Sequence, residues 1–313
     1  MSVIESMNEK IKDIGIVVVH FGNKEDTFEC LMSLSLLSEE KVRFIVYLVD
    51  NDPQNRISTK ELSFKIHITL LTQEKNLGYG GGVNIGVRQA LKDRCDYILL
   101  LNNDVVVRKE LFKELLPYFN EKNVGIVSPM IVYYDNPRII WCTSGHLNKR
   151  FLFARYPFMN KSIHETSLPD VIESDFGAAC LLIDPEVFRK IGYLDERYFI
   201  NVEDIEWCFR AKKAGFRLIY ATHPLALHKV SANVGIKGTN LLTPLSAYFY
   251  ARNFFIFMRD HRDSFNLFTA IIGQTFIRLP FYTLFRIRTF QAIREYIRGY
   301  IYGWLYLLTG KLL

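Results

Sequence analysis

Four places in this sequence set carboxylates, asparagines or histidine where they could do chemistry. Asn102-Asn103-Asp104 stands between a Leu-Leu-Leu run and a Val-Val-Val run. A lone carboxylate among apolar residues is expensive to bury unless it is paired or holds a cation. Magnesium or manganese bound by one or two protein groups, with diphosphate and water supplying the rest, suits such a position; so does a plain turn with a solvated Asp104. Glu203-Asp204-Ile205-Glu206 opens a helical pattern with three carboxylates in its first turn. They complement the helix dipole, or one faces a site as a general base, kept ionised with a low pKa by the helix N-terminus. Asn76 to Asn84 (NLGYGGGVN) is a glycine-rich loop between a strand and a helix beginning near Val83. Its backbone can approach an anion at the helix N-terminus, or the glycines merely pack helix on sheet. It is not G-x-G-x-x-G after the first strand, so a dinucleotide site fits poorly. His228 follows His223-Pro224 in an irregular loop expected over 224–238. It is an incidental polar residue, or it completes a cation site with Asp104.

These residues need a scaffold, and the apolar runs supply one. Ile14 to His20 (IGIVVVH), Phe44 to Val49, Ile66 to Leu71 and Tyr97 to Leu101 read as strands buried on both faces. Helical spacing follows the first at Glu25 to Leu37, with Phe28, Leu31, Met32 and Leu36 near one face. Strands alternating with helices predict an α/β fold with a doubly wound, mostly parallel sheet. Ligands bind such sheets at the carboxyl ends of the strands, where strand order reverses. His20, Asp50 to Asp52, Asn76 to Gly82 and Asn102 to Asp104 all fall at those ends. Past Asn120 the alternation loosens. Val124 to Tyr133 and Ile139 to Thr143 read as mixed-sheet additions, Glu203 to Ala214 as a helix and Arg217 to Tyr220 as a short strand.

A hydrophobic content of 49% with 23% charged residues excludes a disordered chain. Met1 to Asp13 is polar, so no secretory leader is expected. The five cysteines form no C-x-x-C pair and read as reduced thiols of a cytosolic protein. The net charge of +6 is concentrated at the C-terminus: between Ser264 and Leu313, Arg278, Arg286, Arg288, Arg294, Arg298 and Lys311 face Glu295 alone, a net +5.

In this order the pieces resemble the inverting GT-A glycosyltransferases of family 2, above all the rhamnosyltransferase-like branch. The matching stretches are IVVVHFGN, LVDND, NLGYGGGVNIG, LLLNNDVVV, FGAACLLI, LDERYFINVEDIEWCFRAKKAGFRLIYATHPLALH and YFYARN, from Ile14 to Asn253. The resemblance implies a GT-A, Rossmann-like domain over residues 1–260. It implies a nucleotide-sugar set of His20, Asp50, Asn51, Gly78, Tyr79, Gly80, Asn84, Asn102 and Asn103. Asp104, closing a D-x-D element, and His228 would hold Mg²⁺ or Mn²⁺, and Asp204 would be the catalytic base. Gly177, Ala178, Glu203, Trp207, Arg252 and Asn253 would lie on the acceptor side. Asn102 replaces the first aspartate of D-x-D, and Glu206 stands where an aspartate is usual. The implied reaction is a metal-assisted single displacement from a nucleoside diphosphate sugar, dTDP-rhamnose first and a UDP-hexose or UDP-galactofuranose second. The acceptor would be a lipid-linked or cell-surface glycan.

Residues 261–313 form the second unit. Twelve aromatics among the last 50 residues alternate with arginines, and the uncharged stretch before Arg278 falls short of the ~20 residues a spanning helix needs. The pattern predicts helices lying on an anionic membrane at the inner face of the cell; a packed subdomain or homo-oligomer interface is the other reading. No nucleic-acid module accompanies the basic residues. A nucleotidyltransferase would want a basic side chain in the glycine-rich loop, and a non-catalytic binding protein would not need Asp104, Asp204 and His228 together.

Overall fold

A computed structural model describes residues 11–37, 41–230 and 242–312. The N-terminal half alternates strand and helix: β1 (Lys12–His20), α1 (Lys24–Ser35), β2 (Val42–Asp50), β3 (Ile68–Thr72), α2 (Gly78–Lys92) and β4 (Tyr97–Asn102). Then follow β5 (Val105–Val107), α3 (Leu111–Leu115), β6 (Val124–Tyr133), β7 (Ile140–Cys142), β8 (His146–Asn148), β9 (Phe153–Arg155), β10 (Val171–Ser174) and β11 (Cys180–Ile183). The chain closes with α4 (Pro185–Ile191), α5 (Glu203–Lys213), β12 (Arg217–His228), α6 (Pro244–Asp260), α7 (Leu267–Arg286) and α8 (Phe290–Thr309).

One ten-stranded sheet runs β10-β12-β6-β11-β4-β1-β2-β3, with β5 added to β12 and β7 to β6. Its β3-β2-β1-β4 half is wholly parallel, as the doubly apolar runs predict, and β11 brings the first antiparallel pairing. Strand order reverses between β1 and β4, so a crevice opens beyond Val19 and Asn102.

Three local expectations are corrected. The buried face of α1 is Thr27, Cys30, Leu31 and Leu34, an i, i+3, i+4, i+7 stripe; Met32 and Leu36 are exposed. The glycine-rich segment is not a loop: α2 begins at Gly78. Glycine is required there for close approach, because a Cβ on Gly82 or Gly86 would overlap Val19 or Val17 of β1. Finally, β12 runs through to His228, since register shifts on both sides of Pro224 accommodate the missing N–H. His228 therefore ends a strand; beyond Val230 the expected loop lies outside the described residues.

The C-terminal helices cover the domain instead of trailing from it. Gly299 and Gly303 bring α8 against the Tyr248 backbone and the Phe255 ring of α6, where side chains would not fit. Arg278 does not end α7. Its guanidinium is buried against Phe254 and Tyr250, 3.8 and 4.2 Å from the ring centroids. The helix passes through it and is 20 residues long in all. Among the described residues it is the helix that length and composition would let cross a membrane, contrary to the expectation that the arginine leaves too short a stretch.

Candidate active site

A cavity of about 520 Å³ lies at the reversal of strand order. The ends of β1, β2 and β4, the start of α2, the loop into α5 and the end of β12 enclose it, and α6 and α7 close it. Asn51, Gly78, Tyr79, Asn102, Asn103, Asp104, Ala178, Glu203, Asp204, Trp207 and His228 line it, so residues far apart in sequence meet.

The side chains at the sheet end are tied to the backbone and to one another. Asn51 accepts from the Leu77 N–H at 2.9 Å and donates to the Gly78 carbonyl and Asn76 Oδ1 at 3.0 and 3.1 Å. The Tyr79 hydroxyl donates to Asn102 Oδ1 at 2.8 Å. Asn103 Nδ2 donates to Thr27 Oγ1 at 2.9 Å, Thr27 meets His20 Nδ1 at 2.8 Å, and His20 Nε2 donates to the Asn55 carbonyl at 3.0 Å.

After Asp104 the chain turns straight into β5, which pairs antiparallel with β12 so that Val105 stands opposite His228. The Lys229 N–H donates to the Asp104 carbonyl at 3.0 Å. That pairing brings Asp104 Oδ1 within 3.1 Å of His228 Nε2, both side chains buried. One oxygen and one nitrogen donor at this spacing fit a divalent cation that takes its other ligands from phosphate and water. No group of three or more His, Cys, Asp or Glu residues among the described residues could hold a metal by itself. The His228 ring also meets Trp141 edge-on, centroids 4.2 Å apart.

Asp204 opens α5 from a strained turn. Phe199, Asn201 and Val202 have φ of 62°, 66° and 75°, a conformation non-glycine residues adopt only when their surroundings enforce it. Asn253 of α6 enforces it: its Nδ2 lies 2.8, 2.9 and 2.7 Å from the carbonyls of Tyr198, Ile200 and Asn201. Burial lifts the Asp204 carboxyl to about 6, against the stabilising N–H groups of Ile205 and its own backbone. The low pKa expected from the helix N-terminus is thus overturned, because desolvation outweighs the dipole. Its neighbour Glu203 is pushed well above the carboxylate range by burial and then by the Asp204 charge. The Glu203 Oε2 is buried and has no hydrogen-bond partner among the described residues.

Several expected site residues do not line the cavity. His20 is fully buried, with both ring nitrogens bonded as above. Asp50 is fully buried and accepts from the Ile57 and Asp52 N–H groups at 3.3 and 3.4 Å. Asn84 ties α2 to Leu194, accepting from its N–H at 3.0 Å and donating to its carbonyl at 2.9 Å. Gly80 faces Leu194, and Gly177 lies against Leu181, Leu218 and Tyr220. Arg252 bonds the Arg197 carbonyl and Asn253 and stacks on Phe249; with Asn253 it shapes the α5 turn from behind. Trp207 lines the cavity by its edge but is anchored in the core, donating to the Gly192 carbonyl at 2.9 Å. The sequence reading missed Phe21, Trp141, Tyr156, Tyr250, Tyr282 and Arg286 as lining residues. Only the aromatic density of the tail hinted at the last two.

Residues 12–268 match the family model described as "Glycosyltransferase like family 2". The chain is 25% identical over 313 residues to the low-salt glycan biosynthesis hexosyltransferase Agl10 of Haloferax volcanii, covering 96% of this chain and 94% of that protein. It is 26% identical over 221 residues to the dTDP-rhamnosyl transferase RfbF of Shigella flexneri, covering 69% and 71%. Among solved structures, S. aureus TarS 1-349 in complex with UDP-GlcNAc superposes with a TM-score of 0.56 at 14% identity, over 93% of this chain and 81% of that one. The fold is GT-A, as the motif series implied.

Proposed function

The chain belongs to glycosyltransferase-like family 2, and from that premise we propose an inverting, metal-assisted transfer from a nucleoside diphosphate sugar to an acceptor hydroxyl. The observation that carries the proposal is the division of labour among three carboxyl groups on one cavity. Asp104 is paired with His228, while burial pushes Glu203 well above the usual carboxylate range and lifts Asp204 to about 6. Asp204 is then ionised at neutral pH and basic enough to take a proton from an attacking hydroxyl. A cation on Asp104 and His228 would neutralise charge on the departing diphosphate. Asn51, Asn76 and the Asn102–Asn103 pair, at the strand ends, hold the nucleotide side. With the base opposite the leaving group, attack inverts the anomeric centre in one displacement, without a covalent enzyme intermediate.

The relation to a dTDP-rhamnosyl transferase favours dTDP-rhamnose as donor, with a UDP-hexose or UDP-galactofuranose second. The acceptor is a lipid-linked or cell-surface glycan. In this reading residues 1–260 form the transferase domain, and 261–313 hold it peripherally on the inner face of the membrane. Transfer assays across dTDP-rhamnose, UDP-glucose, UDP-galactose and UDP-galactofuranose, each with Mg²⁺, Mn²⁺ or chelator, test the proposal. Metal-dependent transfer from one donor with inverted anomeric configuration is expected. Retained configuration, or equal transfer in chelator, would refute it.

A further inference from the structure

The cavity has a second end that the sheet does not build. Phe281, Tyr282 and Arg286 of α7 line it, joined by Tyr250 of α6 and by Leu245. Phe281 and Leu245 line the cavity and yet are 46% and 47% exposed, so they stand at its mouth, and that mouth is apolar. The last turn of α7, Tyr282–Arg286, is a π turn; Tyr282 and Arg286, four residues apart, share a face and both line the cavity. Among the described residues Arg286 is the one lysine or arginine that lines the cavity. Tyr282 donates its hydroxyl hydrogen to Tyr250 at 2.9 Å, which leaves the Tyr250 hydrogen for a ligand. The opposite side of the same helix is apolar and open: Phe276, Ile277, Leu284 and Phe285 are 72%, 46%, 68% and 61% exposed.

A water-soluble donor has no use for an apolar rim continuous with an apolar outer face. An amphiphile does. Resting on the transferase reading above, we propose that this end is the acceptor's entrance: the acceptor is a lipid phosphate ester, its chain lying in the bilayer against the outer face of α7 and its phosphate held by Arg286 and the Tyr250 hydroxyl. The guanidinium fork matches phosphate geometry. Arg288 and Arg294, exposed just past α7 and on α8, give that face the positive charge an anionic bilayer attracts. The saccharide carried by the phosphate then extends inward, toward Asp204.

The test is binding to the full chain, followed by tryptophan fluorescence or calorimetry, with farnesyl diphosphate as probe and farnesol and inorganic pyrophosphate as its two halves. Nucleoside diphosphate (dTDP and UDP) binding is measured in parallel, and circular dichroism monitors folding. Farnesyl diphosphate should bind more tightly than either half. Arg286→Ala should weaken it roughly 10-fold or more, Arg286→Lys less, with nucleoside diphosphate affinity unchanged in both. Unaltered farnesyl diphosphate affinity in Arg286→Ala would overturn the inference. So would an equal loss of dTDP or UDP affinity, since Arg286 would then serve the donor. Failure of the wild type to bind any nucleoside diphosphate would instead sink the transferase reading itself.

Discussion

The two ends of the cavity are made of different material. At the sheet end the polar side chains are held in a bonded network: Asn51 by two bonds to the backbone and one to Asn76, Asn103 through Thr27 and His20 to a carbonyl. At the helical end aromatic rings, one hydroxyl pair and one guanidinium face the cavity, and apolar side chains form the rim. Bonded asparagines and carboxylates fix charge to within fractions of an ångström, which a reacting diphosphate needs. Rings and an apolar rim give affinity by burial and tolerate displacement. Changes at the first end should therefore appear in rates, and changes at the second in partitioning.

The largest effect belongs to Asp204. Asp204→Asn keeps the shape and loses the proton acceptor, so transfer should fall by ~10²–10⁴ while nucleotide binding stays near wild type. In the wild type, activity should rise with pH through about 6 as the carboxyl ionises. The stability sign runs the other way. A carboxyl whose folded pKa is raised stabilises the fold below its unfolded value and loses that contribution as pH rises through about 6. Asp204→Asn should thus melt no lower than wild type at pH 7.5, and the difference should shrink as pH falls below about 6. Near wild-type turnover in the folded variant would remove Asp204 from the role and erase the rate half of the contrast.

Next comes Asp104. Asp104→Ala should cut metal-dependent nucleoside diphosphate affinity by at least the ~10–100-fold typical of lost outer-shell partners. His228→Ala should act in the same direction but less, because phosphate and water replace one nitrogen more readily than a charged oxygen. Calorimetry with Mn²⁺ and with chelator reads this directly. Identical metal dependence in both variants and wild type would put the cation elsewhere.

Asn253 sharpens the comparison, since it touches neither end yet shapes the turn that carries Asp204. Asn253→Ala frees three carbonyls of a strained segment. Displacing a catalytic group by ~1 Å can cost ~10²-fold in rate, so kcat should drop about 10-fold or more with donor KM unchanged. Asn253→Asp, which cannot donate to those carbonyls, should not rescue it. A fall in KM alone, or no change in either parameter, would show that the turn holds itself.

How far this was legible in the sequence follows from the range of the forces involved. The strands β1, β2 and β4 announced themselves because burial on both faces leaves a continuous apolar run. Asp104 and Asp204 stood out because carboxylates at strand and helix ends need an explanation. His228 was seen, but Pro224 suggested a loop, and only strand register turned the segment into β12. Asn253 and Arg252 were assigned to the acceptor because nothing local records that they bond carbonyls more than 50 residues away. The inward position of Arg286 was hidden for a similar reason: nothing local records that α7 closes the cavity built by distant strand ends.

The smallest effect on chemistry, and the one that most isolates the second end, concerns the outer face of α8. Ala292, Tyr296, Gly299, Gly303 and Tyr306 are buried, while Ile297, Ile301, Leu305 and Leu308 stay 43%, 52%, 38% and 71% exposed. A helix apolar on both sides, with one side uncovered, calls for a second apolar phase. Deleting Ser264 to Leu313 would test this badly, because α8 covers α6 and Tyr282 and Arg286 line the cavity. Ile301→Gln with Leu308→Gln leaves those contacts alone. Each half-exposed side chain should contribute about 1 kcal/mol of interfacial burial, so the pair should weaken vesicle binding roughly 10-fold or more at low and high salt alike. Arg288→Gln with Arg294→Gln should cost ~1 kcal/mol per charge at low salt and little at high salt, where the Debye length shrinks to ~3 Å at 1 M. Turnover of a soluble acceptor should stay within about twofold for both pairs. Co-sedimentation with anionic vesicles separates the two contributions. If wild type ignores vesicles at both salts and instead elutes as a dimer that the Ile301/Leu308 pair dissociates, the second phase is another copy of the chain, and the helical end is an assembly surface, not a membrane one.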